Sequence, residues 1–205
     1  MLLYSILLAS SVLFNTAYGK EVIGYRIVSP DEAEGINDNN KPFDYKAYDD
    51  DSLSPQLGRG FYMTNVPDSQ LALSDEWYCV IKADSDKIGK ADKVWIPKIF
   101  EDEERSVELW TGNEDAILEY IKSLVSDDAE EALRFSYIVG AGEKLQMVIP
   151  PEAIDEDDLG LWAQCWATEE EQMRHSSEIV PWTTWNIVGN LGPSDPDEME
   201  TETGW

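Results

Sequence analysis

Gly24-Tyr25-Arg26-Ile27-Val28-Ser29-Pro30-Asp31-Glu32 changes its structural signature within nine residues. The β-branched and aromatic residues over 22–28 predict a first strand. Ser29 then predicts a helix N-cap. Pro30 takes the first helical position, where a backbone N–H would have no partner, and Glu32 completes a capping box. A strand feeding directly into a helix opens what the rest of the chain continues as one α+β domain.

Upstream of that stretch, residues 1–19 carry no charged side chain, and LLYSILLASSVLF has the length of a secretory leader core. It is too short for a membrane span. Small residues at Ala17 and Gly19 suit cleavage before Lys20. The expected layout is a signal peptide over 1–19, a domain over 20–192 and an acidic disordered tail over 193–205. That tail holds Asp195, Asp197, Glu198, Glu200 and Glu202 without a base. The mature protein is expected to be secreted and extracellular.

Downstream, a polar loop is expected over 37–56, and Gly58-Arg59-Gly60 predicts a turn entering a short strand, Phe61-Tyr62-Met63-Thr64. Residues 77–83 form an apolar run expected to be buried on both faces, 93–97 a further short strand, and 101–104 a solvated acidic loop. Asn113 predicts the cap of a helix carrying Ile117, Leu118, Ile121, Leu124 and Val125, with a shorter helix over 126–133. Residues 135–139 and 145–149 predict strands around Gly140-Ala141-Gly142, a hairpin ended by Pro150-Pro151. The rest reads as short helix and irregular chain rich in Trp162, Trp166, Trp182 and Trp185.

Composition excludes several classes of function. The 205 residues hold 15 Lys and Arg against 42 Asp and Glu, a formal charge of −27. Nucleic-acid binding needs clustered cations, and stable association with an anionic membrane is disfavoured for the same reason. Apolar residues at 42% are enough for a core. Cys79 and Cys165 are the two cysteines, and in an oxidising compartment they are expected to form a disulfide. Two Cys and the single His175 make no zinc site, and no calcium-loop pattern is present, so no metal is expected.

Three separated pieces carry a resemblance. Gly24 to Glu32 resembles the opening of the heat-labile enterotoxin and cholera toxin A chains, members of the ADP-ribosyltransferase superfamily. Gly58-Arg59-Gly60-Phe61-Tyr62-Met63-Thr64 resembles that superfamily's middle motif and the Gly-x-Gly-Ile-Tyr motif of poly(ADP-ribose) polymerases. Glu143-Lys144-Leu145-Gln146-Met147-Val148-Ile149-Pro150 stands where the superfamily places its catalytic strand. The resemblance implies a single ADP-ribosyltransferase-like domain with a split, mainly antiparallel sheet and flanking helices. It implies NAD as substrate, and a secreted, toxin-like or effector-like protein that transfers ADP-ribose to an unknown protein target.

By resemblance Arg26 binds NAD, with Tyr62 and Thr64 as the middle motif, and the catalytic position falls on Gln146. An Arg suits bidentate contact with phosphate or ribose, and a Tyr can stack on nicotinamide. Breaking the nicotinamide bond builds positive charge on the ribose, which a carboxylate stabilises. Gln146 can hydrogen-bond a hydroxyl but brings no charge. Glu143 is the nearest acid, but three residues is an odd step along a strand and places it on the opposite face. Active transfer and a catalytically degenerate, non-enzymatic interaction protein therefore both stay open. So do plainer roles: Arg26 paired with one of the 42 acids, Tyr62 in the core, Gln146 as an ordinary strand residue. A third reading, carbohydrate binding, would use the Trp cluster as a stacking face; packing in the core is the plainer reading of those rings.

Overall fold

The computed structural model describes residues 19–42, 55–67, 75–101, 105–125 and 128–194. Most of the leader read over 1–19 and of the tail read over 193–205 lies outside them.

The opening stretch folds as its residues dictate. Strand β1 (Lys20–Val28) runs into helix α1 (Pro30–Asn39), and the Ser29 hydroxyl accepts from the Glu32 N–H at 3.2 Å. Strand β2 (Phe61–Thr64) and strand β3 (Trp77–Asp84) follow. Asp84 then caps the short helix α2 (Ser85–Lys90) by accepting from the Asp86 and Lys87 N–H groups. Strand β4 (Lys93–Trp95) leads to a small hairpin, β5 (Ile99–Glu101) with β6 (Ser106–Glu108), so Glu101 ends a strand where a loop was expected. Helix α3 (Glu114–Lys122) is capped by Asn113, whose side-chain oxygen accepts from the Ala116 N–H at 3.2 Å.

Strands β7 (Leu133–Tyr137) and β8 (Leu145–Ile149) form the expected hairpin, with Gly140 and Gly142 at φ 72° and 63° in its turn. Helix α4 (Pro151–Asp155), strand β9 (Trp162–Trp166), helix α5 (Glu169–His175), a 3₁₀ turn at Trp182–Thr184 and strand β10 (Val188–Gly189) complete the order.

Eight strands form one sheet in the order β10-β4-β7-β8-β2-β1-β3-β9, antiparallel except where β4 meets β10 and β7. The α+β class and the antiparallel bias are as expected, but the sheet is not split in two; β5 and β6 alone stand apart. The helix expected over 126–133 is replaced, among the described residues, by turns up to Leu133. Leu133 is instead the first residue of β7, pairing with Lys93. Residues 162–166, expected to be irregular, pair with β3 as β9.

Both faces of the central strands are covered, which is why β8 is buried along its whole length, Gln146 included. Leu145, Met147 and Ile149 join a core built around Ile23, Phe61, Ile81, Phe135 and Trp182. Val148 faces a second core under α3 with Leu57, Ile96, Ile117 and Ile121. Trp182 is fully buried, and its indole N–H donates to the Ile23 carbonyl at 2.9 Å. It therefore cannot be part of a sugar-stacking face. Cys79 and Cys165 sit opposite each other in the β3–β9 ladder and are bonded. No helix among the described residues is long and apolar enough to cross a membrane.

Candidate functional site

Antiparallel register places polar side chains of neighbouring strands in one row. Tyr25 of β1 pairs with Thr64 of β2, Thr64 with Gln146 of β8, and Gln146 with Ser136 of β7. Beside this row lies a cleft of about 280 Å³ whose lining includes Arg26, Tyr62, Thr64, Glu76, Ile138 and Gln146. The structure thus brings together Arg26, Tyr62, Thr64 and Gln146. It leaves out Glu143, which is exposed in the β7–β8 turn and does not line the cleft.

Arg26 is held by the helix that its own strand feeds. Its Nε donates to Glu32 Oε1 at 3.1 Å, and Nη2 lies 3.1 Å from the same oxygen. Nη1 donates to the Tyr62 carbonyl at 2.8 Å, and the guanidinium carbon stands 4.6 Å above the centre of the Phe61 ring. The spacing Arg26 to Glu32 is the α1 turn folding back on the strand end. The ion pair and the cleft-lining role of Arg26 coexist.

Tyr62 directs its hydroxyl away from solvent. The hydroxyl donates to the Gly58 carbonyl at 2.7 Å and accepts from the Leu57 N–H at 2.8 Å. What Tyr62 offers the cleft is its ring. The glycines before it are required by space. Gly58 has φ 79°, and a Cβ there would run into the Glu114 and Arg134 side chains; Gly60 has φ 143°, and a Cβ there would run into the Ile149 carbonyl. Any side chain at Gly60 would push β2 off β8.

Burial raises the Tyr62 phenol far above its ordinary value, and burial is also the largest cause of the upward shifts at Tyr25 and Tyr120. Each phenol stays neutral in the fold at a pH where the unfolded chain has lost the proton. The stability this contributes is complete below about pH 10 and is lost as pH rises through the folded values. In a spectrophotometric titration, Tyr25, Tyr62 and Tyr120 should ionise late and together with unfolding. Ionisation of these three near pH 10 in the folded protein would contradict this.

Gln146 is 7% exposed, and its amide nitrogen donates to Ser136 Oγ at 3.1 Å and to the Tyr137 carbonyl at 3.2 Å. The Gln56 amide converges on the same two acceptors, at 3.1 and 2.7 Å. A carboxylate at 146 would lose both donations and face the Tyr137 carbonyl. Thr64 donates to the Val66 carbonyl at 2.8 Å, closing the end of β2.

Glu76 lines the cleft from the residue before β3 and was not foreseen. Asp75-Glu76 carries no local motif, and only the pairing of β3 with β1 brings it there. Elsewhere Glu131, Glu156 and Asp158 place carboxylate oxygens within 4.8 Å of one another in a partly exposed cluster.

Residues 55–190, more than half of the chain, match the model of a family of unknown function, DUF5910. The match begins in the turn before β2 and so excludes Arg26. No curated protein and no solved structure matches the chain.

Proposed function

We propose that this chain, which belongs to the DUF5910 family, binds NAD in the cleft between β1, β2 and β8 and acts as a secreted ADP-ribosyltransferase-like protein on a protein target. The observation that carries the reading is the convergence of Arg26, Tyr62, Thr64 and Gln146 on one cleft from three adjacent strands. Those are the positions that the resemblance to the ADP-ribosyltransferase superfamily singles out. The size suits part of the molecule. At about 280 Å³ the cleft lies near the lower end of small-molecule sites. It would take the nicotinamide–ribose end and leave the adenosine half at the rim.

In this reading the Tyr62 ring stacks on nicotinamide, and Arg26, already oriented by Glu32, turns its charge towards ribose or phosphate. The bonding of the Gln146 amide to β7 favours a second reading, in which NAD is held without turnover and the surface around it does the work.

Calorimetric titration with NAD tests the shared part of both. Wild type should bind. Arg26→Lys keeps the charge that Glu32 needs but loses the planar fork, so it should weaken NAD binding by about tenfold or more while staying folded. Equal affinity in the two proteins, or no heat with wild type, would overturn the NAD reading in favour of a surface-acting interaction protein.

A further inference from the structure

We propose that Glu76, not the residue at position 146, supplies the charge that drives cleavage of NAD in this cleft. The inference rests on the NAD reading above and adds the group that makes the site active.

Among the described residues lining the cleft, Glu76 is the one carboxylate. Glu32 is bonded to Arg26 and does not line the cleft. Gln146 holds β8 to β7 through its amide nitrogen, a task a carboxylate cannot perform. The strand order β8-β2-β1-β3 sets Gln146 and Glu76 on opposite sides of Thr64 and Arg26. Three strand spacings separate β8 from β3, about 14 Å, and Glu76 stands four residues further along, since Tyr25 of the Gln146 row pairs with Val80 while Val28 pairs with Trp77. The cleft thus has a neutral amide at one end and an anion at the other, past Arg26, and the ribose would be held at the Glu76 end. Glu76 is half-buried, so its charge is only partly screened.

The step balances with water as co-reactant. The bond between ribose C1′ and the nicotinamide nitrogen breaks, and its electron pair leaves with nicotinamide, which becomes neutral. The cation at C1′ is stabilised by the Glu76 carboxylate. Water, or a nucleophile of a target protein, bonds to C1′ and gives its proton to Glu76, which passes it to solvent.

Nicotinamide release and NAD titration, on the full disulfide-bonded chain, are measured for wild type, Glu76→Gln and Glu76→Asp. Wild type should release nicotinamide. Glu76→Gln should bind NAD within about threefold of wild type and turn over about 10² to 10³-fold more slowly. Glu76→Asp, which keeps the charge one methylene further back, should fall between them, and it decides the matter if Glu76→Gln fails to fold. Unchanged turnover in Glu76→Gln would overturn the assignment and leave the NAD reading standing. Binding by wild type without release would overturn it too, because the carboxylate would then not act on bound NAD. Absence of NAD binding by wild type would remove both.

Discussion

Replacing Cys79 and Cys165 together by Ala should cost about 4 to 5 kcal/mol, because the bridge closes a loop of 86 residues and restricts the unfolded chain accordingly. Both sulfurs lie in the core, at 1% and 2% exposure, so small apolar replacements add little strain of their own. The bond also fastens β9, an edge strand, to β3. Loss of the bridge should therefore appear first as faster amide exchange in β9. Denaturant unfolding of the oxidised protein and the double variant measures the difference. A change under about 1 kcal/mol would mean that the unfolded chain is restricted by something else. The bond itself is checked by intact mass after thiol labelling of unreduced, denatured protein, where two labelled cysteines would refute it.

How far the sequence is legible depends on how local each cause is. The strand-to-helix switch at Ser29 is legible because an N-cap, a Pro and a change of period all lie within a few residues. The β7–β8 hairpin is legible for the same reason, through its glycines. Strand β9 is hidden because Trp162 and Trp166 draw the eye to packing, while the residues turned inward are Ala163 and Cys165. The helix expected over 126–133 rests on reading Ser126 as a cap. Ala129, Ala132 and Leu133 are instead buried as the approach to a strand whose partner Lys93 lies forty residues earlier. At the site, Arg26, Tyr62, Thr64 and Gln146 belong to strings that can be read locally. Glu76 does not. Nor can any reading choose Glu114 from 42 acids as the partner of Arg134.

That last pair supports the other large effect. Arg134 is 1% exposed, and it binds Glu114 through both terminal nitrogens, at 2.9 and 2.5 Å, while donating to the Leu57 carbonyl at 2.9 Å. Leu57 and Gly58 are the residues that hold the Tyr62 hydroxyl. The chain of contacts runs from α3 through a buried guanidinium to the turn that presents β2 to the cleft. Glu114 is itself 36% exposed, so Glu114→Gln strips the buried Arg134 of its counter-charge at the lower end of the usual cost for a buried pair, about 3 kcal/mol. For a domain of this size that is a fall in Tm of about 6 to 12 °C. Arg134→Met in the Glu114→Gln background removes the stranded charge and should recover much of the loss, because an apolar side chain of similar volume suits the surrounding core of Leu57, Ile117 and Val148. If Glu114→Gln shifts Tm by less than about 2 °C, Arg134 is compensated by other groups. If the double variant is no better than the single one, the pair is held for the geometry of the 55–60 turn, and the Tyr62 ring should then lose its fixed place at the cleft.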